Sequence, residues 1–145
     1  MYDDSSKKIL VIEDDLDYRK SLYDLLGHEF SFIAADDGEQ GIERLLVHRP
    51  DLVILDLLLP KIDGFEILKR IREYPDEGIK KTPVIVLSNL SGNEDFVKAQ
   101  NWKVEAYFVK SHTKLADVKA KVKEVVYQGT SGPKEEVMDF RDMGN

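Results

Sequence analysis

The chain has no cysteine among its 145 residues, which excludes a disulfide framework and a thiolate metal site. Nothing in it calls for an oxidising compartment, and a cytoplasmic location is expected. No apolar run approaches the roughly 20 residues of a membrane span. The first residues, Met1-Tyr2-Asp3-Asp4-Ser5-Ser6-Lys7-Lys8, lack the apolar core of a signal peptide, so no membrane contact is expected. Basic residues are in deficit: 21 Lys and Arg stand against 28 Asp and Glu, a net charge of −7. That shortage argues against direct binding of nucleic acid. It is compatible with a cation held among carboxylates. Internal repeats and low-complexity tracts are also missing.

What is present is an alternation. Lys8 to Ile12, Phe30 to Ala35, Leu52 to Leu55, Pro83 to Leu87 and Ala106 to Val109 read as strands. Several are apolar throughout, as strands covered on both faces are. Helical spacing lies between them. Leu16 to Leu26 is capped by Asp15 and ended by Gly27. Glu39 to Val47, Phe65 to Tyr74 after the Asp63-Gly64 turn, and Glu94 to Trp102 follow. A last helix, capped by Thr113, runs to about Tyr127. Pro75 to Thr82 and Asn89 to Asn93 read as loops. Strand then helix, five times over, implies parallel strands with right-handed crossovers. The expected fold is α/β: a doubly wound five-stranded parallel sheet in a three-layer α/β/α arrangement. Residues 1–7 are expected as a frayed leader, 8–127 as the folded domain, and 128–145 as a disordered tail with too little apolar content to fold alone.

In such sheets ligands bind outside the carboxyl ends of the strands. The first strand ends in Glu13-Asp14-Asp15, the third in Asp56, the fourth in Ser88 and the fifth in Lys110. Carboxylates brought together repel one another and want a cation. Oxygen ligands alone suit Mg²⁺, Mn²⁺ or Ca²⁺. A metal, an ammonium and a hydroxyl around one carboxylate suit phosphoryl transfer. The carboxylate attacks phosphorus to form an acyl phosphate, while the metal and Lys110 neutralise the equatorial oxygens. Plainer readings exist one residue at a time. Asp56 could cap a loop, the acidic triplet could favour a helix start through the dipole, and Ser88 and Lys110 could be an ordinary hydroxyl and a solvated lysine. Their convergence on one sheet edge favours the chemistry. His28, His48 and His112 are scattered and read as non-catalytic, and Trp102 reads as helix packing.

Five stretches then carry a resemblance. They are Ile9 to Asp15 with Arg19 downstream, Asp51 to Pro60 around Asp56, Asp63-Gly64-Phe65, Pro83 to Ser88, and Tyr107-Phe108-Val109-Lys110. Over roughly Lys7 to Tyr127 the chain resembles a receiver domain of the two-component response regulators. The resemblance implies a flavodoxin-like strand order 2-1-3-4-5. It implies Asp56 as phosphoacceptor, Glu13 and Asp14 as the acidic metal-binding pair with Asp15 left as the cap, and the Leu58 carbonyl as a backbone metal ligand. It implies Mg²⁺, with Mn²⁺ as an alternative. Ser88 matches the switch hydroxyl, Lys110 the phosphate-binding lysine, and Tyr107 the aromatic whose rotamer follows activation. A sensor histidine kinase or phosphotransfer protein would be the donor and a downstream protein the target, with an activation-dependent homodimer as a further expectation. Such a domain is no enzyme beyond catalysing its own phosphotransfer and slow dephosphorylation.

The chain also departs from the family pattern. Ser111 stands where proline usually follows the lysine, often after a cis bond. Asn89 stands where the residue after the switch hydroxyl is usually small. Lys103 lies near the site of a usual glycine. Other functions on this sequence are a pseudo-receiver that signals without phosphate, a receiver cut from a longer regulator, and a phosphatase with an aspartate nucleophile. The last would carry Asp-x-Asp-x-Thr after the first strand, and here Leu58 occupies the second-acid position. A flavin carrier would need a loop after the first strand rich in Ser, Thr and Gly, and this one is acidic.

Overall fold

The computed structural model describes residues 6–128. Its elements are β1 (Lys8–Ile12), α1 (Leu16–Leu26), β2 (Ser31–Ala35), α2 (Gly38–His48), β3 (Leu52–Leu55), α3 (Gly64–Arg72), α4 (Glu77–Lys80), β4 (Val84–Ser88), α5 (Asn93–Asn101), β5 (Ala106–Val109) and α6 (Leu115–Gln128). A 3-10 turn over Lys110–His112 joins the last two. The strands form one parallel sheet in the order β2-β1-β3-β4-β5. This is the doubly wound, three-layer fold expected from the alternation, with the order expected from the resemblance.

Successive side chains of a strand point to opposite faces, and both faces here are covered. Leu10, Ile12, Val53, Leu55, Val84 and Val86 meet Leu45 of α2, Ile67, Leu68 and Ile71 of α3, and Phe96 and Ala99 of α5. Ile9, Val11, Leu52, Ile54, Ile85 and Leu87 meet Leu22 and Leu26 of α1 and Val118, Val122 and Val125 of α6. This two-sided burial is why the central strands are apolar except at their ends, where β1 starts at Lys8 and β4 stops at Ser88. Truncating one such leucine or isoleucine to alanine costs about 2–5 kcal/mol.

Four of the helices start where aspartates satisfy free amides. Asp15 accepts from the Tyr18 N–H at 3.1 Å, Asp37 from Gln40 at 2.9 Å, and Asp63 from Phe65 at 2.8 Å. Three expectations need correction. Pro75 to Thr82 is not a plain loop, because Asp76 caps the one-turn helix α4 and Ile79 drops into the core at 1% exposure. A single buried residue in one turn leaves no period to read. Thr113 does not cap α6: its hydroxyl donates to the Val109 carbonyl at 2.7 Å, and the helix begins at Leu115. Gln128, expected with the tail, is the last residue of α6. Of the expected leader and tail, residues 1–5 and 129–145 lie outside the described residues.

At the edge of α3, the Arg72 guanidinium donates to four carbonyls. They belong to Trp102 at 2.8 Å, Lys80 at 3.0 Å, Thr82 at 2.7 Å and Lys103 at 3.3 Å. It thereby ties α3 to the turn after α5 and to the start of β4. Lys103 in that turn is left-handed, with φ 59°. No cis peptide bond occurs among the described residues, so the Lys110–Ser111 bond is trans. No described helix is long and apolar enough to cross a membrane.

Candidate functional site

β1 and β3 run side by side, with Ile12 opposite Leu55. The Asp56 N–H donates to the Ile12 carbonyl at 3.1 Å. Glu13 and Asp56 therefore leave neighbouring strands at the same level. Both are buried, at 2% and 5% exposure, while Asp14 beside them is exposed. One carboxylate oxygen from each of Glu13, Asp14 and Asp56 lies within 4.8 Å of the others. A hard divalent cation takes such an oxygen-only set, so these three residues fit one.

The loop after Asp56 folds back over it. The Leu58 N–H donates to Asp56 Oδ1 at 3.0 Å, and the Leu58 side chain stands half out in solvent. Gly64 makes the fold-back feasible. A Cβ there would sit 2.4 Å from the Leu57 Cα and 2.8 Å from the Asp56 carbonyl oxygen. No side chain fits between the start of α3 and the end of β3.

Lys110 arrives from the far side of the sheet. Its Nζ lies 2.6 Å from Glu13 Oε1 and 2.9 Å from Asp56 Oδ2, and 4.4 Å from the centre of the Tyr18 ring. Burial opposes the charged ammonium, but the hydrogen bonds to Glu13 and Asp56 outweigh it, and the Lys110 pKa is raised. Burial pushes Glu13 up, against the pull of the Lys110 ammonium. The other Glu13 oxygen, Oε2, accepts from the Asp15 N–H at 2.9 Å. Arg19 braces the same corner, donating to the Glu13 carbonyl at 2.6 Å and pairing with Asp36 at 3.1 Å.

Ser88 ends β4 on the same sheet edge and is fully buried. Its hydroxyl is engaged, accepting the Leu90 N–H at 3.3 Å. Tyr107 donates to the Leu90 carbonyl and packs edge-on to Phe96, with ring centres 4.7 Å apart. Ser88 and Tyr107 thus grip one residue of the β4–α5 loop, one by its amide and the other by its carbonyl. The two departures at Asn89 and Ser111 prove to be partners: Asn89 Oδ1 accepts the Ser111 N–H at 3.1 Å. A proline at 111 has no such hydrogen to give.

The family model for the response regulator receiver domain matches residues 9–123. The chain belongs to that family. Response regulator ArlR of Staphylococcus aureus is 35% identical over 104 residues, which is 71% of this chain and 45% of ArlR. The receiver thus spans a little under half the length of the curated relatives it matches. Among solved structures it is similar to the phosphorylated cyanobacterial phytochrome response regulator RcpA, with 27% identity and TM-score 0.76, covering 90% of this chain and 100% of that one. It is also similar to the Mn²⁺-bound form of response regulator Rcp1, with 28% identity and TM-score 0.72, covering 88% and 99%.

Within this receiver the structure brings Glu13, Asp14, Asp56 and Lys110 into one cluster, with Ser88 and Tyr107 joined through Leu90 beside it. None of the three histidines belongs to the acidic group. The sequence reading missed the Leu58 amide on Asp56, the brace of Arg19 on Glu13, and the ring of Tyr18 beneath Lys110. Tyr18 had a faint signal: it sits in the first turn of α1, three residues after Asp15.

Proposed function

We propose that this receiver is switched by phosphorylation of Asp56, with Mg²⁺, or alternatively Mn²⁺, as the bound cation. The donor is a sensor histidine kinase or a phosphotransfer protein. One observation carries the reading: a buried carboxylate is paired with a partly buried ammonium inside an acidic group that fits a divalent cation. A pseudo-receiver would have no use for that arrangement.

One Asp56 oxygen attacks the phosphorus of a phosphohistidine. The new P–O bond forms as the P–N bond breaks, and the electron pair leaves with the histidine nitrogen, which takes up a proton. The bound cation supplies charge for the phosphoryl oxygens. Glu13, Asp14, Asp56 and the Leu58 carbonyl are the residues that would hold it. Lys110 moves its hydrogen bond from Asp56 to a phosphoryl oxygen, and the Leu58 N–H keeps the carboxylate oriented. Glu13 and Asp56 are buried, so their charges act at a lower effective dielectric than on the surface.

Ser88 is the switch hydroxyl. Its lone pair holds the Leu90 amide while its own proton is there to donate to the phosphoryl group, so a turn of Ser88 toward Asp56 draws Leu90 along and with it the carbonyl that Tyr107 holds. The β4–α5 loop thereby changes the surface offered to a downstream protein target or to a second copy of the chain. The unit doing this spans residues 8–128, works in the cytoplasm, and contacts neither nucleic acid nor membrane. Its chemistry is confined to its own phosphotransfer and slow dephosphorylation.

Incubation of the full chain with phosphoramidate and Mg²⁺, followed by intact mass, tests the reading. One added phosphoryl mass is expected, lost in Asp56→Asn and with chelator. No added mass, or a phosphate that survives Asp56→Asn, overturns it.

A further inference from the structure

Resting on Asp56 as the acceptor, we infer that Tyr18 is a positioning residue for the transfer, its ring face holding the Lys110 ammonium while the carboxylates around it change partners.

Among the described residues, Lys110 Nζ lies against Glu13, Asp56 and the Tyr18 ring. The first two are both altered by the reaction. Glu13 has each oxygen engaged, Oε1 by Lys110 and Oε2 by the Asp15 amide. A cation ligated by Glu13 would use a further lone pair of the carboxylate. The same cation repels the ammonium and weakens its contact with Oε1. Asp56 then turns from a carboxylate into an acyl phosphate and ceases to be the same anion.

The ring undergoes no such change. Its face attracts a cation through the quadrupole, more strongly where water is excluded, and the Lys110 side chain is only 12% exposed. Burial holds the Tyr18 phenol above its ordinary pKa, so it stays neutral. The ring is also anchored. The Tyr18 amide donates to the Asp15 cap at 3.1 Å, and the next residue, Arg19, is tied to the Glu13 carbonyl at 2.6 Å. The platform and the acidic group therefore hang from the same strand end. When the contact with Glu13 weakens, Tyr18 keeps the ammonium over the place where phosphoryl oxygens arrive.

The test compares wild type, Tyr18→Phe and Tyr18→Leu, each with Lys110 intact and in a Lys110→Ala background. Initial rates of Asp56 phosphorylation by phosphoramidate are measured at saturating Mg²⁺. The side-chain methylene protons of Lys110 are observed by NMR without phosphodonor. Tyr18→Leu should slow phosphorylation by about three- to thirtyfold, the span of a cation–π contact. Tyr18→Phe should restore most of the rate. In Lys110→Ala, Tyr18→Leu should cost nothing further. The upfield shift of the Lys110 protons over a ring should persist in Tyr18→Phe and vanish in Tyr18→Leu. A wild-type rate in Tyr18→Leu, an equal loss in the Lys110→Ala background, or a Tyr18→Phe as slow as Tyr18→Leu each overturns the inference. So does an upfield Lys110 shift that persists in Tyr18→Leu. If wild type takes no phosphate, the acceptor reading falls and the role in transfer falls with it. If wild type is phosphorylated and Tyr18→Leu matches it, only the role of Tyr18 falls.

Discussion

Tyr107 is a phenol placed where a charge is poorly tolerated. Burial first, then Asp95 and Asp56, raise its pKa above the ordinary 10.0. Lys110 is raised above its ordinary 10.5. Both groups hold a proton in the folded protein that the unfolded chain has already lost. Above these ordinary values the folded state therefore binds more protons, and stability falls as pH rises. Below about pH 10 both contributions are intact. Urea unfolding at stepped alkaline pH should show the midpoint dropping from about pH 10 upward, and Tyr107→Phe should flatten part of that slope. A midpoint independent of pH in that window would contradict the two environments. The residues at the strand ends were legible because each interrupts an apolar run with a charge or a hydroxyl. Tyr18 was not, because its role depends on which loop lies over it. That is decided by the meeting of β5 with α1, not by any local pattern.

Among the elements, the turn between α5 and β5 carries strain. Lys103 sits at φ 59°, where a residue with a Cβ loses about 1–2 kcal/mol. The turn is held in spite of this by Arg72, whose guanidinium takes the carbonyls of Trp102 and Lys103. Lys103→Gly relieves the strain and loosens the unfolded chain, so the expected net gain is at most about 1 kcal/mol. The urea midpoint should rise; a fall would mean that the lysine side chain contributes more than the backbone strain costs. The five strands and five of the helices were legible from period and length. Helix α4 was not, since its only core residue is Ile79. Thr113 misled because its hydroxyl found a carbonyl behind it rather than an amide ahead. Ser111 and Asn89 looked like two separate oddities, and only the geometry shows one hydrogen bond joining them.

For the molecule as a whole, the cation and the fold are linked. Any ligand that binds only the folded state stabilises it, by about 2.7 kcal/mol at a hundred times its Kd. Mg²⁺ should therefore raise the Tm by several degrees, and chelator should reverse the rise. Asp14→Ala should keep the fold, because Asp14 is exposed, yet lose most of that rise. A full rise in Asp14→Ala would remove this residue from the cation's ligands. The parallel, doubly wound architecture was legible from the alternation alone, but the strand order came only with the resemblance, since alternation does not say which strands are neighbours. That order sets when the site comes into being. Lys110 reaches Asp56 across 54 positions of chain and Glu13 across still more, and contacts between such distant positions form slowly. A chain on the ribosome with β1 to β4 assembled would already display its acids but still lack the ammonium. The ammonium that completes the cluster is thus the last of its parts to be made.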